Sequence, residues 1–206
     1  ASHPGEASLN ASTRLFETAG GTILCGTWNA GFLIYDEEAK KFNSQNRQEG
    51  TFLPSPVVFD FAEQDSLLFF AGITGVFACK QKDLHNTAFT SYTRYASDPR
   101  DLHTISSEEN SSIITGKDGN LWIGGTHGLV QWNTSSRFYQ LYPFDKLVNL
   151  PQWTPASIAQ QSDQLYLVAE HEVLGFDLHK ETYYRIPINI QGKKRHGLYE
   201  DRDGFF

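Results

Sequence analysis

Residues able to catalyse a reaction are few in this sequence, and none has the spacing that the common mechanisms need. A zinc protease uses two histidines as in His-Glu-x-x-His, but the stretch from His171 has Gly175 where the second histidine would stand. The carboxylate pairs at 37–38 and 108–109 are adjacent, so in a strand their side chains would point to opposite faces. No Gly-x-Ser-x-Gly turn is present. We therefore predict no catalytic residue, no metal site and no cofactor.

Residues with the chemistry of a binding site fall instead in the turns between apolar runs. Aromatic rings can stack on the C–H faces of a sugar, while amide and guanidinium groups can meet its hydroxyls. This inventory suits a carbohydrate. The candidate ligand-binding residues are Trp28, Asn29, Arg100, His127, Trp153 and His171.

Most of these candidates also have a structural interpretation. The rings of Trp28 and Trp153 would pack a loop or a neighbouring domain. Arg100 has aspartates close to it on either side and would form a loop ion pair. His127 and His171 occupy corresponding places in an internal repeat, which favours a role in the turn itself. Both interpretations stay open at the level of the sequence.

The elements that position these turns are copies of one short phrase. Its clearest copy reads DGNLWIGGTHGLVQWN from Asp118; others begin at Gly20, Asp65 and Ser162, and a truncated copy begins at Asp203. Equivalent residues of successive copies lie 41 to 53 residues apart. This spacing overlaps the period of a four-stranded propeller blade. One such sheet cannot bury both of its faces, so blades must stack to form a core.

Each repeat divides into four short strands, most clearly in the third copy. An Asp-Gly turn at 117–120 and a Gly-containing turn at 126–128 separate its apolar runs. The predicted strands of this copy are 112–115, 121–125, 129–132 and 137–142. Gly124 is expected to allow a close backbone approach. The aromatic residues predicted to lie in the core are Trp122, Trp132, Phe138 and Tyr139.

The predicted fold is all-β: a β-propeller of four-stranded antiparallel blades, with about four blades and the start of a fifth. The blade-like repeats are predicted at 13–56, 57–106, 107–154, 155–197 and, truncated, 198–206. The last would stop within a strand, so a partial propeller is preferred to four blades that close by themselves. Such a piece would leave one blade face open and would tend to associate.

Composition and charge exclude some classes of function. The 206 residues carry a formal charge of −7, whereas a nucleic-acid-binding surface needs a basic stripe. We therefore expect no direct contact with nucleic acid. No apolar run approaches the roughly 18 residues of a membrane span. Cys25 and Cys79 lie in apolar runs at non-equivalent repeat positions, which favours two buried free thiols over a disulfide.

The repeat is similar to a known one. KDGNLWIGGTHGLVQWN and YEDRDGFF resemble the regulator-type propeller repeat found in the periplasmic sensor regions of hybrid two-component systems (histidine kinase and response regulator) of Bacteroides-type bacteria. The second copy departs from the pattern by lacking the aromatic residue that ends its third strand, and the fourth copy has lost its turn glycines. The resemblance implies seven-bladed propellers followed by an immunoglobulin-like domain, a membrane helix and cytoplasmic signalling modules.

The resemblance also implies the function. A periplasmic sensor would recognise an oligosaccharide or another small ligand, without catalysis in this chain, and would signal through rearrangement of a homodimer. Two alternatives from other classes stay open. One is part of a propeller-fold glycan lyase or hydrolase whose catalytic groups lie in other blades, and the other is a scaffold that binds a partner protein.

Overall fold

The computed structural model describes residues 11–44, 55–84, 92–98, 100–101, 104–105, 109–144, 154–169, 172–188, 200–201 and 204–205. Within these residues the structure is almost entirely β, with one short 3₁₀ helix at Gln81–Asp83. The chain forms two compact units, one comprising 1–97 and 108–110 and the other 98–107 and 111–206. The predicted all-β fold is confirmed.

Two four-stranded antiparallel sheets make up the first unit, each with its strands in chain order. The strands of the first sheet are β1 Ser12–Glu17, β2 Ile23–Thr27, β3 Phe32–Asp36 and β4 Lys41–Ser44. Those of the second sheet are β5 Val58–Gln64, β6 Leu67–Gly72, β7 Gly75–Lys80 and β8 Thr93–Tyr95. This up-and-down order of four neighbouring strands is that of a propeller blade.

The second unit repeats the same arrangement twice. Its first sheet contains β9 Asn110–Thr115, β10 Leu121–Gly125, β11 Gly128–Asn133 and β12 Phe138–Pro143. Its second sheet contains β13 Ser157–Gln161, β14 Gln164–Val168, β15 Val173–Asp177 and β16 Thr182–Ile186. A short hairpin of β17 Glu200–Asp201 and β18 Gly204–Phe205 follows. The exact limits of the predicted repeats stay predictions.

Four of the strands test the prediction made for the third copy. Strand β10 has the predicted bounds, while β9 and β11 extend the predicted strands by one or two residues. The predicted fourth strand was wrong at its start, because Arg137 has φ 56° and belongs to the turn. Phe138 was predicted to be core but is 52% exposed, since it opens the outermost strand of its sheet. Trp122 and Trp132 are buried as predicted.

A hydrophobic core lies between the two sheets of each unit. In the first unit, Leu24 and Phe32 of one sheet pack with Leu68, Phe70 and Phe77 of the next. The corresponding core of the second unit brings Trp122, Leu129 and Tyr142 against Leu165, Leu167, Leu174 and Phe176. Alternation along each strand sends one set of side chains to each face. Within each unit, one face of the first sheet therefore packs on one face of the second.

Gly124 shows why the repeat needs glycine in its second strand. A Cβ atom at this position would lie 2.3 Å from Cγ of Pro155 and 2.5 Å from Oγ of Ser112. Its equivalent in the first sheet, Gly26, would place a Cβ 2.6 Å from the carbonyl oxygen of Val58. Real side chains do not approach this closely, so both glycines allow the next sheet to pack, as predicted for Gly124.

The two cysteines are free and buried, as predicted. Burial raises the pKa of the Cys79 thiol to about 12, with a smaller contribution from the nearby charge of Asp83. Burial also raises the pKa of Cys25. Neither thiol is therefore ionised near neutral pH, which makes both poor nucleophiles.

Candidate functional site

The turn between β2 and β3 presents two of the predicted binding residues to solvent. Trp28 is 50% exposed, and the adjacent Asn29 is also exposed. The indole ring meets the ring of Phe59 edge-to-face, with centroids 5.3 Å apart and an interplanar angle of 87°. An exposed tryptophan held by a second aromatic ring is an aromatic surface of fixed orientation.

The backbone of this turn is held by hydrogen bonds on several sides. Thr27, which is fully buried, donates from Oγ1 to the carbonyl of Gly31 at 2.9 Å and accepts from the amide of Ala30 at 2.9 Å. The amide of Trp28 donates to the carbonyl of Ala11 at 3.1 Å, and that of Gly31 donates to Pro56 at 2.8 Å. The positive φ of Gly31, 66°, closes the turn.

Phe59 was not predicted as a site residue, and the reason lies in its strand. The pairing of β5 with β6 shifts register between Val58 and Asp60, so Phe59 sits at a bulge. A bulge redirects the side chain it carries. Periodicity alone does not reveal a bulge, and the sequence offered no signal for this contact.

An ion pair joins the two sheets close to the Trp28 turn. Arg14 pairs with Gly26 in the ladder, two residues before Trp28, and its Nε lies 3.2 Å from Oδ1 of Asp60. The Asp60 side chain is only 4% exposed and that of Arg14 is 29% exposed. The same Asp60 oxygen accepts the amide of Phe61 at 3.0 Å. This buried carboxylate is therefore held by a cation and a backbone donor.

Sequence reasoning missed this pair, although a signal was present. Arg14 and Asp60 are charged residues inside apolar strands, and they occupy the same repeat position in successive copies. Arg14 pairs with Gly26 and Asp60 with Ala71, which are equivalent residues of the second strand. Opposite charges one repeat apart would have indicated an inter-sheet ion pair.

Arg100, another predicted binding residue, is held by its own loop. Its Nε and Nη2 lie 3.0 Å from Oδ1 and Oδ2 of Asp98, and its amide also donates to Oδ1. The guanidinium lowers the pKa of Asp98, and the carboxylate raises the pKa of Arg100. This geometry agrees with the structural interpretation of Arg100 as a loop ion-pair partner.

The structure shows fewer contacts for the remaining candidates. His127 is exposed in the turn between β10 and β11, with its Nδ1 3.4 Å from Oγ1 of Thr126. Trp153 and His171 lie outside the described residues. Trp28 and Asn29 belong to the first unit and His127 to the second, so the clearest grouping is Trp28, Asn29 and Phe59.

Metal and membrane features were also sought in the part of the chain that the structure describes. There, no group of three or more His, Cys, Asp or Glu side chains is arranged to hold a metal ion. No helix in the same residues has the length and hydrophobicity to cross a membrane.

Among the comparisons with known proteins, only the one with solved structures finds similar proteins. No family model matches the chain, and no curated protein matches it either. The extracellular domain of hybrid two-component system BT3049 from B. thetaiotaomicron is similar, with TM-score 0.72 and 13% identity over 95% of this chain and 27% of that one. The corresponding domain of BT4673 from the same organism has TM-score 0.64 and 16% identity over 98% of this chain and 31% of that one.

Propellers from an unrelated setting are also similar. The WD40 repeats of RRP9 have TM-score 0.57 and 11% identity, over 85% of this chain and 50% of that one. Together these matches decide the architecture. The chain is a partial β-propeller. It resembles the extracellular domains of hybrid two-component systems, as its repeat predicted, and it spans 27 to 31% of the length of those two structures.

Proposed function

We propose that this partial propeller belongs to the periplasmic sensor region of a hybrid two-component signal-transduction protein and takes part in sensing an oligosaccharide. Two independent observations support the proposal. The fold resembles the extracellular domains of BT3049 and BT4673, and the repeat phrase resembles the regulator-type repeat. The proposed role in binding rests on the turn between β2 and β3.

The class of ligand is inferred from Trp28. Half of its surface is exposed, and its ring is positioned by Phe59 and by a turn with several backbone hydrogen bonds. A ring fixed before binding loses little conformational entropy when a ligand stacks on it. The exposed amide of Asn29 beside it offers both a donor and an acceptor for hydroxyl groups. A flat apolar surface next to an amide matches the face and edge of a sugar ring.

Signalling requires only that the ligand prefer one of two arrangements of the sensor. In the proposed parent protein, further blades and an immunoglobulin-like domain connect this region to the membrane, and a homodimer changes the activity of a cytoplasmic histidine kinase and so regulates transcription. The sheets in this chain would contribute binding and architecture. Catalysis is not part of the proposed role.

A thermal-shift and fluorescence screen against a panel of oligosaccharides tests the proposal. A bound sugar should raise the unfolding midpoint, because binding to the folded state stabilises it by mass action. It should also change the tryptophan fluorescence. Trp28→Ala should weaken the binding about tenfold or more, from the loss of the stacked ring. Phe138→Ala is the matched control, since it removes an exposed aromatic ring outside the proposed site.

Three results would contradict the proposal in different ways. An absence of any sugar effect would favour the scaffold alternative, which pull-down of a partner protein would then test. Sugar binding that Trp28→Ala leaves unchanged would move the site away from this turn. Formation of a cleaved product during incubation would favour the propeller-fold lyase or hydrolase instead.

A further inference from the structure

The strands that begin the two sheets of the first unit each carry a β-bulge at the same repeat position. The pairing of β1 with β2 shifts register between Ser12 and Arg14, and that of β5 with β6 shifts between Val58 and Asp60. In the last four-stranded sheet, β13 pairs with β14 without a shift. Bulges redirect side chains and are common beside functional sites. The two bulges therefore distinguish this end of the first unit.

The bulge in β5 lets two consecutive residues reach the first sheet, whereas a regular strand would send them to opposite faces. Phe59 meets the ring of Trp28, with centroids 5.3 Å apart. Asp60 meets Arg14, with Oδ1 3.2 Å from Nε. Arg14 pairs with Gly26, which lies two residues before Trp28, or about 7 Å along an extended chain. The indole and the guanidinium are thus both held by neighbouring residues of β5, within reach of one small ligand.

The Arg14 side chain offers hydrogen-bond donors, while the acceptor beside it is buried. The side chain of Arg14 is 29% exposed and that of Asp60 only 4%. Nε faces Asp60, and among the described residues no hydrogen bond is found from either terminal nitrogen of the guanidinium. A sugar hydroxyl both donates and accepts, as the exposed amide of Asn29 can. A carboxylate only accepts, so it is the better match for Arg14.

We propose that Arg14 determines the specificity of the Trp28 turn by binding the carboxylate of an acidic sugar, such as a uronic acid, whose ring stacks on Trp28. Nε stays with Asp60, and the terminal nitrogens donate to the two carboxylate oxygens. Asp60 is a positioning residue, because it fixes the guanidinium before the ligand arrives and so lowers the entropic cost of binding. The carboxylate names the class of sugar for the same turn, so this proposal rests on the proposed function.

Titration with matched pairs of sugars tests the proposal, with tryptophan fluorescence as the signal. The probes are short oligosaccharides of galacturonic acid and of glucuronic acid, each beside its neutral counterpart of the same length and linkage. At least one acidic sugar should bind about tenfold more tightly than its counterpart, because hydrogen bonds between charged groups are the stronger ones. Its affinity should fall as sodium chloride is added, since salt screens a partly exposed charge, and that of the neutral sugar should not.

A double variant removes the ion pair without leaving a buried carboxylate unpaired. Arg14→Gln with Asp60→Asn should abolish both the preference for the acidic sugar and its salt dependence, and leave binding of the neutral sugar nearly unchanged. The matched control is Arg185→Gln with Glu172→Gln, which removes a pair with Nε and Oε1 2.9 Å apart in the second unit and should keep the preference. Unfolding midpoints show that each variant is folded. Arg14→Lys, a second variant, should also lose the preference, because one ammonium cannot replace the fork of a guanidinium.

The possible failures separate this proposal from the proposed function. Equal affinities for acidic and neutral sugars, all weakened by Trp28→Ala, would leave the proposed function standing and overturn the role of Arg14. A preference for the acidic sugar that survives in the folded double variant, or in Arg14→Lys if the double variant does not fold, would place the carboxylate elsewhere and overturn it too. Binding of no sugar by the unaltered chain would overturn both proposals together.

Discussion

In the first unit, the strand that begins each sheet contributes one member of a charged pair, whereas the same repeat position in the second unit is occupied by serine. Arg14 reaches Asp60 across the joint, the contact between the two sheets of a unit. The residues in the second unit are Ser112, whose hydroxyl lies against Gly124, and Ser157, which pairs with Val168. Both serines are fully buried, and among the described residues neither hydroxyl has a hydrogen-bond partner.

The second unit places its polar contacts elsewhere in the joint. The Tyr142 hydroxyl lies 3.2 Å from Oε1 of Glu181, in the turn before β16, and the Tyr183 hydroxyl donates to the carbonyl of Tyr142 at 2.7 Å. A backbone amide at Lys117 donates to Oε1 of Gln160 at 2.8 Å. The repeat thus fixes the apolar packing of the joint, while these polar contacts differ between the units.

One contact is shared by both joints. The hydroxyl of Thr13 donates to the carbonyl of Val58, and that of Ser111 donates to the carbonyl of Pro155 at 2.6 Å. In both cases a hydroxyl on the first strand of one sheet meets the backbone at the start of the next. Gly26 lies directly against this contact, because a Cβ there would be 2.5 Å from Oγ1 of Thr13, whereas a Cβ at Gly124 would meet Cγ of Pro155 and Oγ of Ser112 instead.

Truncation of the apolar core should give the largest effect on stability. Trp122→Ala should lower the free energy of unfolding by about 3–5 kcal/mol, and the equivalent change Leu24→Ala by about 2–5 kcal/mol. Urea unfolding measures both. Trp122→Phe, which keeps an apolar ring, should cost clearly less than Trp122→Ala. A loss below about 1 kcal/mol for Trp122→Ala would show that the packing seen around it does not hold the joint together.

The ion pair of the first unit should give the next largest effect. Asp60→Asn keeps an acceptor for the amide of Phe61 but removes the negative charge opposite Arg14. We expect a loss of about 2 kcal/mol, below the range for fully buried pairs because Arg14 reaches solvent. The control is Asp98→Asn in the exposed pair with Arg100, for which we expect a clearly smaller loss, because solvent screens an exposed ion pair. Equal effects of the two changes would show that the Arg14–Asp60 pair holds the first joint no more firmly than an exposed pair holds its loop.

Much of the fold could be predicted because each repeat shows the alternation of a strand and the glycine-containing turns that bound it. The bounds of β10 follow from an Asp-Gly turn before it and a Gly-containing turn after it. The fourth strand was less predictable. Lys40, Arg137 and Glu181 all have positive φ at the turn that precedes it, a conformation with no obligatory residue type.

The candidate site could be predicted only in part. An exposed tryptophan in a turn is visible in the sequence, whereas its support by Phe59 depends on a bulge. Arg100 shows that a suitable residue type can also mislead. Its type suited a ligand, but the flanking Asp98 holds it at 3.0 Å. Local charge neighbours were therefore better predictors of contacts than the chemistry of a residue taken alone.

The tyrosine contact of the second unit should give the smallest effect, with a distinctive dependence on pH. Burial, followed by the charge of Glu181, raises the pKa of Tyr142 to about 12 from its usual 10. The unfolded chain would then ionise before the folded one, so stability that is full below pH 10 falls as the pH rises toward 12. Tyr142→Phe should cost about 1 kcal/mol at neutral pH, from the lost hydrogen bond, and should reduce the alkaline loss of stability measured by urea unfolding.

One outcome would contradict this prediction. If the free energy of unfolding fell equally steeply between pH 10 and 12 in both proteins, the Tyr142 hydroxyl would be ionising freely in the folded state. The contact between Tyr142 and Glu181 would then not stabilise the joint of the second unit, whose polar contacts would be those made by Tyr183, Lys117 and Ser111.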